Sequence, residues 1–227
     1  MLCISDHVDS LIYSPALKDR FGDVDAVISC GDLKQNYYEF IVSTLNIPLL
    51  YVLGNHSEFS LKKNIIDYSG PYGEQQGKPK LFNGGILADG RCIYLKELNL
   101  ITAGFGGSAK YNNGDNQYTE FEMFIRILKI IPKLLFNKLF RGRYIDILIT
   151  HAPPRHINDL DDRCHRGFRV FRWFIRRFKP AYMLHGHIHL YKNTTERFAE
   201  YKGVPVINTY KHHILELSAD GGIDEPS

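Results

Sequence analysis

The sequence predicts an α/β protein, and three observations support this prediction. Short apolar runs bounded by turn residues recur along the chain, and runs of this kind are typical of buried strands. Longer amphipathic segments with helical spacing lie between some of these runs. The chain has 227 residues, 44% of them hydrophobic, which is enough for the core of one domain. We expect residues 1–219 to form that domain and residues 220–227 to form a flexible tail.

Five of the predicted strands lead directly into polar motifs. The strands are expected at residues 2–4, 26–28, 49–53, 145–149 and 182–184. In the same order, the motifs are Asp6, Gly31-Asp32, Gly54-Asn55-His56, Thr150-His151-Ala152-Pro153 and His185-Gly186-His187-Ile188-His189. Side chains at strand ends are held by a rigid sheet and still reach solvent, and α/β proteins place ligand sites there. The repeated arrangement predicts one shared site.

The donor atoms in these motifs indicate a metal centre. Carboxylate and amide oxygens combined with imidazole nitrogens suit Mn, Fe or Zn better than Ca, Mg or Cu(I). Taken alone, each motif has a structural explanation, since a single histidine is usually a surface or core residue and Gly54-Asn55 is a common hairpin dipeptide. The ordered set of motifs favours a catalytic metal site over these separate explanations.

The order of these motifs resembles the calcineurin-like metallophosphoesterase superfamily. Gly54-Asn55-His56 and Gly186-His187-Ile188-His189 are its most specific elements, and the similarity extends from Asp6 to about Asn208. The resemblance implies a two-layer β-sandwich flanked by helices, an αββα architecture. It also implies a hydrolase with two divalent metal ions, for which we expect manganese, with iron or zinc as alternatives.

The resemblance also divides the candidate ligands between the two ions. Asp32 would bridge both ions. The remaining ligands would be Asp6 and His189 on the first ion, and Asn55, His151 and His187 on the second. Two ions roughly 3.5–4 Å apart neutralise phosphate oxygens and lower the pKa of water, so that a hydroxide nucleophile is available near neutral pH. His56 would face the substrate and protonate the leaving group.

The first motif departs from the family pattern. The family usually has Asp-x-His, whereas this chain has Asp6-His7-Val8-Asp9. Neighbouring residues at a strand end point to opposite faces, so His7 cannot simply replace a histidine at position 8. Three outcomes stay open: His7 reaches the metal through a local distortion, Asp9 or a water completes the shell, or the first ion is weakly held. We favour Asp9 or a water.

Two basic amphipathic segments lie between the motifs. In the first, residues 121–140, Thr119 and Glu122 predict a capping box, and we expect the helix to end at about Ile131, before Pro132. This segment suits packing on the sandwich, contact with anionic lipid, or a dimer or cap element. In the second, arginines recur at helical spacing from Arg169 onward.

Three further arginines follow His151 closely in the sequence. They are Arg155, Arg163 and Arg166. Arginine binds phosphate through two parallel hydrogen bonds, so we expect one of the three to contact the substrate.

Composition and net charge limit which binding partners and which cellular location we expect. A net charge of +3 allows a nucleic-acid partner but does not imply one. No apolar run is long enough for a transmembrane helix, and the first strand begins too early for a signal peptide to precede it. Four isolated cysteines are typical of a reduced, cytoplasmic protein.

These inferences predict a phosphoesterase that acts on a small-molecule phosphate ester, with a phosphodiester slightly preferred. A nuclease-type phosphodiesterase is the alternative within the enzyme class. A regulatory or scaffold protein with a weakened metal site is the alternative outside it, because position 8 lacks the expected histidine. The sequence does not determine the oligomeric state.

Overall fold

The structure is a computed structural model that describes residues 1–59, 81–190 and 196–217. The five strands predicted before the polar motifs are all present, as β1, β2, β3, β9 and β10. The expected tail at residues 220–227 lies outside the described residues. The elements are β1 (Leu2–Ser5), α1 (Leu17–Phe21), β2 (Val27–Ser29), α2 (Gln35–Leu45), β3 (Leu49–Tyr51), β4 (Ile86–Leu87), β5 (Arg91–Leu95), β6 (Leu100–Phe105), β7 (Ser108–Ala109), β8 (Gln117–Tyr118), α3 (Glu120–Arg141), β9 (Ile147–Thr150), α4 (Arg169–Phe178), β10 (Tyr182–His185), β11 (Phe198–Tyr201), β12 (Val204–Asn208) and β13 (Lys211–Ile214).

The strands form two main sheets and one short pair. The first sheet has the order β13-β1-β2-β3-β4, and the second has the order β11-β12-β10-β9-β6-β5. In both sheets the central strands are parallel and antiparallel pairing is confined to the edges. Strands β7 and β8 pair separately. The carboxyl ends of the parallel strands in one sheet therefore lie along one edge of that sheet.

Apolar side chains hold the sheets and helices in four layers. Between the two sheets, Ile28 and Leu50 from the first sheet share a core with Ile149 and Leu184 from the second. Helices α1 and α2 pack on the outer face of the first sheet, and α3 and α4 pack on the outer face of the second. Burial of this apolar surface is the main stabilising contribution to such a fold. The predicted β-sandwich flanked by helices is confirmed.

Helix α3 differs from its predicted length. The capping box of Thr119 and Glu122 is present, but the helix continues through Pro132 to Arg141 instead of ending near Ile131. Pro132 cannot donate to the carbonyl of Leu128, and both residues are exposed, so water can solvate that carbonyl. The buried face of the helix maintains packing on both sides of the proline. No helix in the described part of the chain has the length and apolar composition needed to cross a bilayer.

Candidate metal centre

The structure brings the six predicted ligands together at one edge of the sandwich. Each follows the carboxyl end of a parallel strand, namely Asp6 after β1, Asp32 after β2, Asn55 after β3, His151 after β9, and His187 and His189 after β10. One ligand atom from each of Asp6, Asp32 and His151 lies within 4.8 Å of the other two. The sequence order of the motifs is thus converted into a spatial cluster by the parallel topology.

The local backbone at this edge is unusual for L-amino acids. Asp6, Asp32 and His187 have φ angles of 61°, 58° and 68°, in the left-handed region. Glycines permit the close approach of these segments. A Cβ atom at Gly54 would collide with the Asp32 carboxylate, and a Cβ at Gly186 would lie 2.5 Å from the Asp6 carboxylate. The glycines of both motifs are therefore required by packing around the two carboxylates.

His151 is fully buried and its ring is fixed at both nitrogens. Its Nδ1 lies 2.8 Å from the carbonyl oxygen of Cys30, an acceptor, so Nδ1 carries the proton. Its Nε2 faces Asn55 Oδ1 at 2.9 Å and Asp32 Oδ2 at 3.3 Å. The amide group of Asn55 is oriented by Tyr111, whose hydroxyl accepts a hydrogen bond from Nδ2 at 3.2 Å. Two oxygens and one imidazole nitrogen thus converge on a single point.

His187 is oriented in the same manner. Its Nε2 lies 2.8 Å from the carbonyl oxygen of Cys164, which leaves Nδ1 unprotonated and available to a ligand. Its ring centroid is 4.9 Å from that of His151. Its backbone N–H donates to both oxygens of Asp6, at 2.9 and 3.0 Å. We call Asn55, His151 and His187 the inner half-site.

The candidate ligands of the other ion are less enclosed. His189 Nε2 lies 4.0 Å from Asp6 Oδ1, and the His189 side chain is 39% exposed, whereas that of Asp6 is 1% exposed. We call Asp6 and His189 the outer half-site, with Asp32 shared between both. Val8, where the family pattern has a histidine, is also exposed.

The residues around position 8 have exposed side chains or partners outside the candidate ligands. Val8 is exposed, and Nδ1 of His7 bonds to the carbonyl of Val8 at 2.8 Å. Asp9 accepts a hydrogen bond from the N–H of Leu11 at 2.9 Å, and its other oxygen lies 2.7 Å from Nδ1 of His212. Of the two completing groups that we favoured, Asp9 has its carboxylate engaged by Leu11 and His212, and a water stays a prediction.

Charge balance at the centre depends on His151. Burial works to lower the pKa of His151, but the carboxylates of Asp32 and Asp6 outweigh it and raise that pKa to about 9. Burial lowers the pKa of His187 to about 3, and the charge on His151 acts in the same direction. Although burial opposes it, interaction with His151 holds the pKa of Asp32 below its usual range. In the absence of a metal, a proton on His151 balances the carboxylates.

This arrangement fits a divalent cation. The facing atoms of Asn55 and Asp32 are both acceptors, and neither can donate a proton to the other. A bound metal ion would satisfy both oxygens and the imidazole nitrogen, and it would replace the proton on His151. The mixed oxygen and nitrogen donor set is the one that Mn, Fe and Zn accept.

His56 lies beside the cluster with its side chain exposed. Its backbone N–H donates to Asp32 Oδ1 at 2.9 Å, which fixes the start of the loop that follows Asn55. The imidazole is thus available to a bound molecule at the rim of the centre.

The three arginines predicted to contact substrate have different surroundings. Arg155 donates to Asp159 at 2.6 Å and to Asp161 at 3.0 Å, and it thereby organises the loop after His151. Arg166 donates through Nε to the carbonyl of Asp161 at 3.2 Å. Arg163 is exposed. Substrate contact stays a prediction for all three, and the geometry assigns Arg155 to the loop itself.

Several groups that shape the centre had no signal in the sequence. They are the carbonyls of Cys30 and Cys164, the hydroxyl of Tyr111, and Asn116, which donates to the carbonyl of Gly54 at 3.0 Å. Every residue has a carbonyl, so no side-chain pattern could identify those two. Cys30 directly precedes Gly31-Asp32, and its position at a strand end was the one available indication.

Comparison with solved structures agrees with this fold. One solved crystal structure is 14% identical, with 92% of this chain and 90% of that chain covered and a TM-score of 0.56. The crystal structure of TT1561 of Thermus thermophilus is 13% identical, with 92% and 88% covered and a TM-score of 0.55. At these identities the similarity shows the fold alone. No curated protein matches in sequence.

A sequence model of one protein family, described as calcineurin-like phosphoesterase, matches residues 1–191. This match spans most of the chain and includes all six candidate ligands. Together with the four-layer fold, it confirms the resemblance inferred from the motifs. The chain belongs to the calcineurin-like phosphoesterase family.

Proposed function

We propose that this protein hydrolyses a phosphodiester with two divalent ions held by the inner and outer half-sites and shared Asp32. Membership of the family supports a metal-dependent phosphoesterase in general. The observation that carries the proposal is the convergence of His151 Nε2, Asn55 Oδ1 and Asp32 Oδ2 at a buried point next to Asp6. When bound, the ions would neutralise phosphate oxygens and lower the pKa of water to near neutral.

The protein's own groups then have separate tasks. The carbonyls of Cys30 and Cys164 keep one nitrogen of His151 and one of His187 directed at the centre. The N–H of His187 holds the Asp6 carboxylate in place. His56, at the exposed rim, donates a proton to the leaving oxygen of the substrate.

The surroundings of Arg155 support a diester as substrate. A phosphomonoester dianion carries one more negative charge than a diester and benefits from an arginine that binds two of its oxygens. Arg155, the arginine nearest in sequence to His151, is bonded to Asp159 and Asp161 instead. A diester needs one proton donor for its leaving group, and His56 provides one.

We further propose manganese as the native metal and the cytoplasm as the location. Manganese is chosen because carboxylate and amide oxygens accompany the histidines. The four cysteines are free, and Cys3, Cys30 and Cys92 are buried. Unpaired cysteines are typical of a reducing compartment.

The first experiment measures metal content together with Mn-dependent hydrolysis of bis(p-nitrophenyl) phosphate and p-nitrophenyl phosphate. Asp32→Asn is the test variant, and Asp19→Asn, an exposed change in α1, is its matched control. Two equivalents of metal and faster diester cleavage that only Asp32→Asn removes would support the proposal. A chain that retains at most one ion and hydrolyses neither ester would favour the regulatory alternative.

The role of His56 is tested with a series of aryl phosphodiesters. We expect His56→Ala to slow poor leaving groups more than good ones, because a good leaving group needs less protonation. The expected loss is roughly 10²-fold for the poorest leaving group. An equal loss for every ester in the series would reject His56 as the proton donor.

A further inference from the structure

The outward face of α3 exposes large apolar side chains along most of its length. The exposed fractions are 76% for Leu139, 70% for Phe121, 65% for Phe140, 50% for Phe136, 47% for Leu135 and 38% for Leu128. Single exposed apolar residues are normal on protein surfaces, but a continuous strip along one helix marks an interaction site. We call these six residues the apolar strip.

The strip lies opposite the face that packs on the sheet. Met123, Ile127, Ile130 and Leu134 are buried at helical spacing against the second sheet. Phe121, Leu128, Leu135 and Leu139 recur at the same spacing about half a turn away from them. A helix that covers one core normally turns polar residues to water, so the second apolar face requires a partner outside the described fold.

Positive charge surrounds the strip. Of the 28 basic and 25 acidic residues in the chain, eleven basic and two acidic residues lie in residues 120–143 and 169–179, which leaves 17 basic and 23 acidic residues elsewhere. The two acidic residues are used locally. Glu122 completes the capping box of α3, and Glu120 accepts the backbone N–H groups of Arg169 and Val170 at the start of α4. Arg126 and Arg143 form ion pairs with Asp89 and Asp146, which lie outside these ranges. The layer of α3 and α4 is therefore basic through its other nine basic residues, on a chain whose remainder is acidic.

We propose that this layer docks on the surface of a membrane that contains anionic lipid. A helix that lies in the plane of a bilayer inserts apolar side chains between headgroups and places lysines on its flanks, where they attract anionic lipids. Lys129 and Lys133 flank the apolar strip on one side and Lys138 flanks it on the other. Binding to nucleic acid would involve the cations but would leave Leu139 and Phe140 without a role. Binding to an uncharged surface would leave the cations without a role.

The docking surface is separate from the candidate metal centre. Its residues lie on the outer face of the second sheet's helices, and it contains no candidate ligand. The proposal therefore does not rest on the proposed hydrolysis, and its variants leave the centre intact.

Trp173 provides a direct measurement of vesicle binding. It is the only tryptophan in the chain, and its ring packs 5.8 Å from that of Phe124 within the same helical layer. Energy transfer from Trp173 to a dansyl headgroup in vesicles reports close approach of the layer to the bilayer. We expect transfer with phosphatidylcholine vesicles that include phosphatidylglycerol, a decline as salt rises, and weak transfer with phosphatidylcholine alone.

Two variants separate the apolar and ionic contributions. Changing Phe136, Leu139 and Phe140 together to Ser should weaken binding at least about tenfold, because several exposed side chains no longer insert. Changing Lys129, Lys133 and Lys138 to Gln should weaken it about a hundredfold at low salt, roughly fivefold for each charge. The controls make like changes elsewhere, namely Leu160→Ser with Phe198→Ser, and Lys18→Gln, Lys96→Gln with Lys202→Gln. Circular dichroism and metal content check that each variant remains folded.

Several results would overturn the proposal. These are equal binding to neutral and anionic vesicles, no binding to either, or control variants that lose as much as the test variants. A preference for RNA over vesicles would assign the face to nucleic acid. Concentration-dependent dimers in light scattering that the serine variant abolishes, with no vesicle binding, would assign it to a second copy of the chain.

Discussion

The two half-sites of the candidate metal centre differ in their exposure to solvent. In the inner half-site, His151 and His187 each direct one ring nitrogen to a backbone carbonyl, at 2.8 Å in both cases. In the outer half-site, His189 is 39% exposed and lies 4.0 Å from the nearest oxygen of Asp6. The family's usual third protein ligand there is replaced by Val8.

This difference bears on how firmly each half-site would hold an ion. The surroundings of a metal site control how much water reaches it, and an exposed ligand competes with water for its ion more than a buried one does. We therefore propose that the inner half-site keeps its ion under conditions in which the outer half-site loses its own. Changes of pH and of the ligands test this difference, and a change of Asp32 tests the residue that both half-sites share.

The largest effect is expected from Asp32→Asn. The change removes the charge shared by both half-sites and the main partner of His151. We expect Mn-dependent diester hydrolysis to fall at least about a thousandfold, with both ions lost from the purified protein. Elemental analysis and steady-state kinetics measure the two effects, with Asp19→Asn as the control. Retained hydrolysis at the wild-type rate would place the centre elsewhere.

A pH dependence is expected from the inner half-site when metal is removed. The pKa of His151 is raised from 6.5 to about 9, so its stabilising contribution is present below pH 6.5 and is lost as pH rises through about 9. The free energy of unfolding of the metal-free protein should fall by about 3 kcal/mol across this window. Urea unfolding at several pH values measures it.

The Mn-loaded protein is the matched control for this pH series, because the metal replaces the proton on His151. Its stability should not show the same decline between pH 6.5 and 9. If the metal-free and loaded proteins changed in parallel with pH, the proton on His151 would not be the balancing charge.

The strands and the ligand cluster could be predicted because both depend on local pattern. A short apolar run followed by Asp32, Asn55 or His151 carries its information within a few residues, and parallel topology brings the strand ends together. Thr119 and Glu122 likewise predict their capping box from adjacent positions. The assignment of ligands to ions came from the family resemblance and stays a prediction.

The features that the sequence pattern did not predict depend on contacts between distant parts of the chain. Asp9 is engaged by His212, 203 residues later, because β13 pairs with β1. Helix α3 passes Pro132 because packing on the sheet outweighs one lost hydrogen bond on its exposed face. A local sequence pattern does not show which distant residues will contact each other in the fold.

Removing one histidine from each half-site tests directly how the two half-sites differ. For His189→Ala we expect about a hundredfold higher Mn requirement, with activity restored at high Mn, because an exposed ligand is replaceable by water. His151→Ala should not be restored by Mn, because it leaves Asn55 and Asp32 facing a buried gap. Activity is titrated against Mn concentration for both variants. If high Mn restored the activity of both equally, the two half-sites would not differ in how they hold an ion. His213→Ala, a change outside the centre, is the control.

The smallest effect is expected from Val8→His, which returns the family's usual residue to the outer half-site. Val8 is 36% exposed, so the side chain can be replaced with little loss of packing. Position 8 lies in the exposed loop after β1, two residues from Asp6, and the family pattern has a histidine ligand there. We expect about tenfold tighter binding of the second equivalent of Mn, measured by isothermal titration.

Val8→Ala separates the loss of valine from the gain of the imidazole. If the two variants bound Mn equally, the outer half-site would not be limited by the missing histidine, and its exposure at His189 would account for its weakness instead.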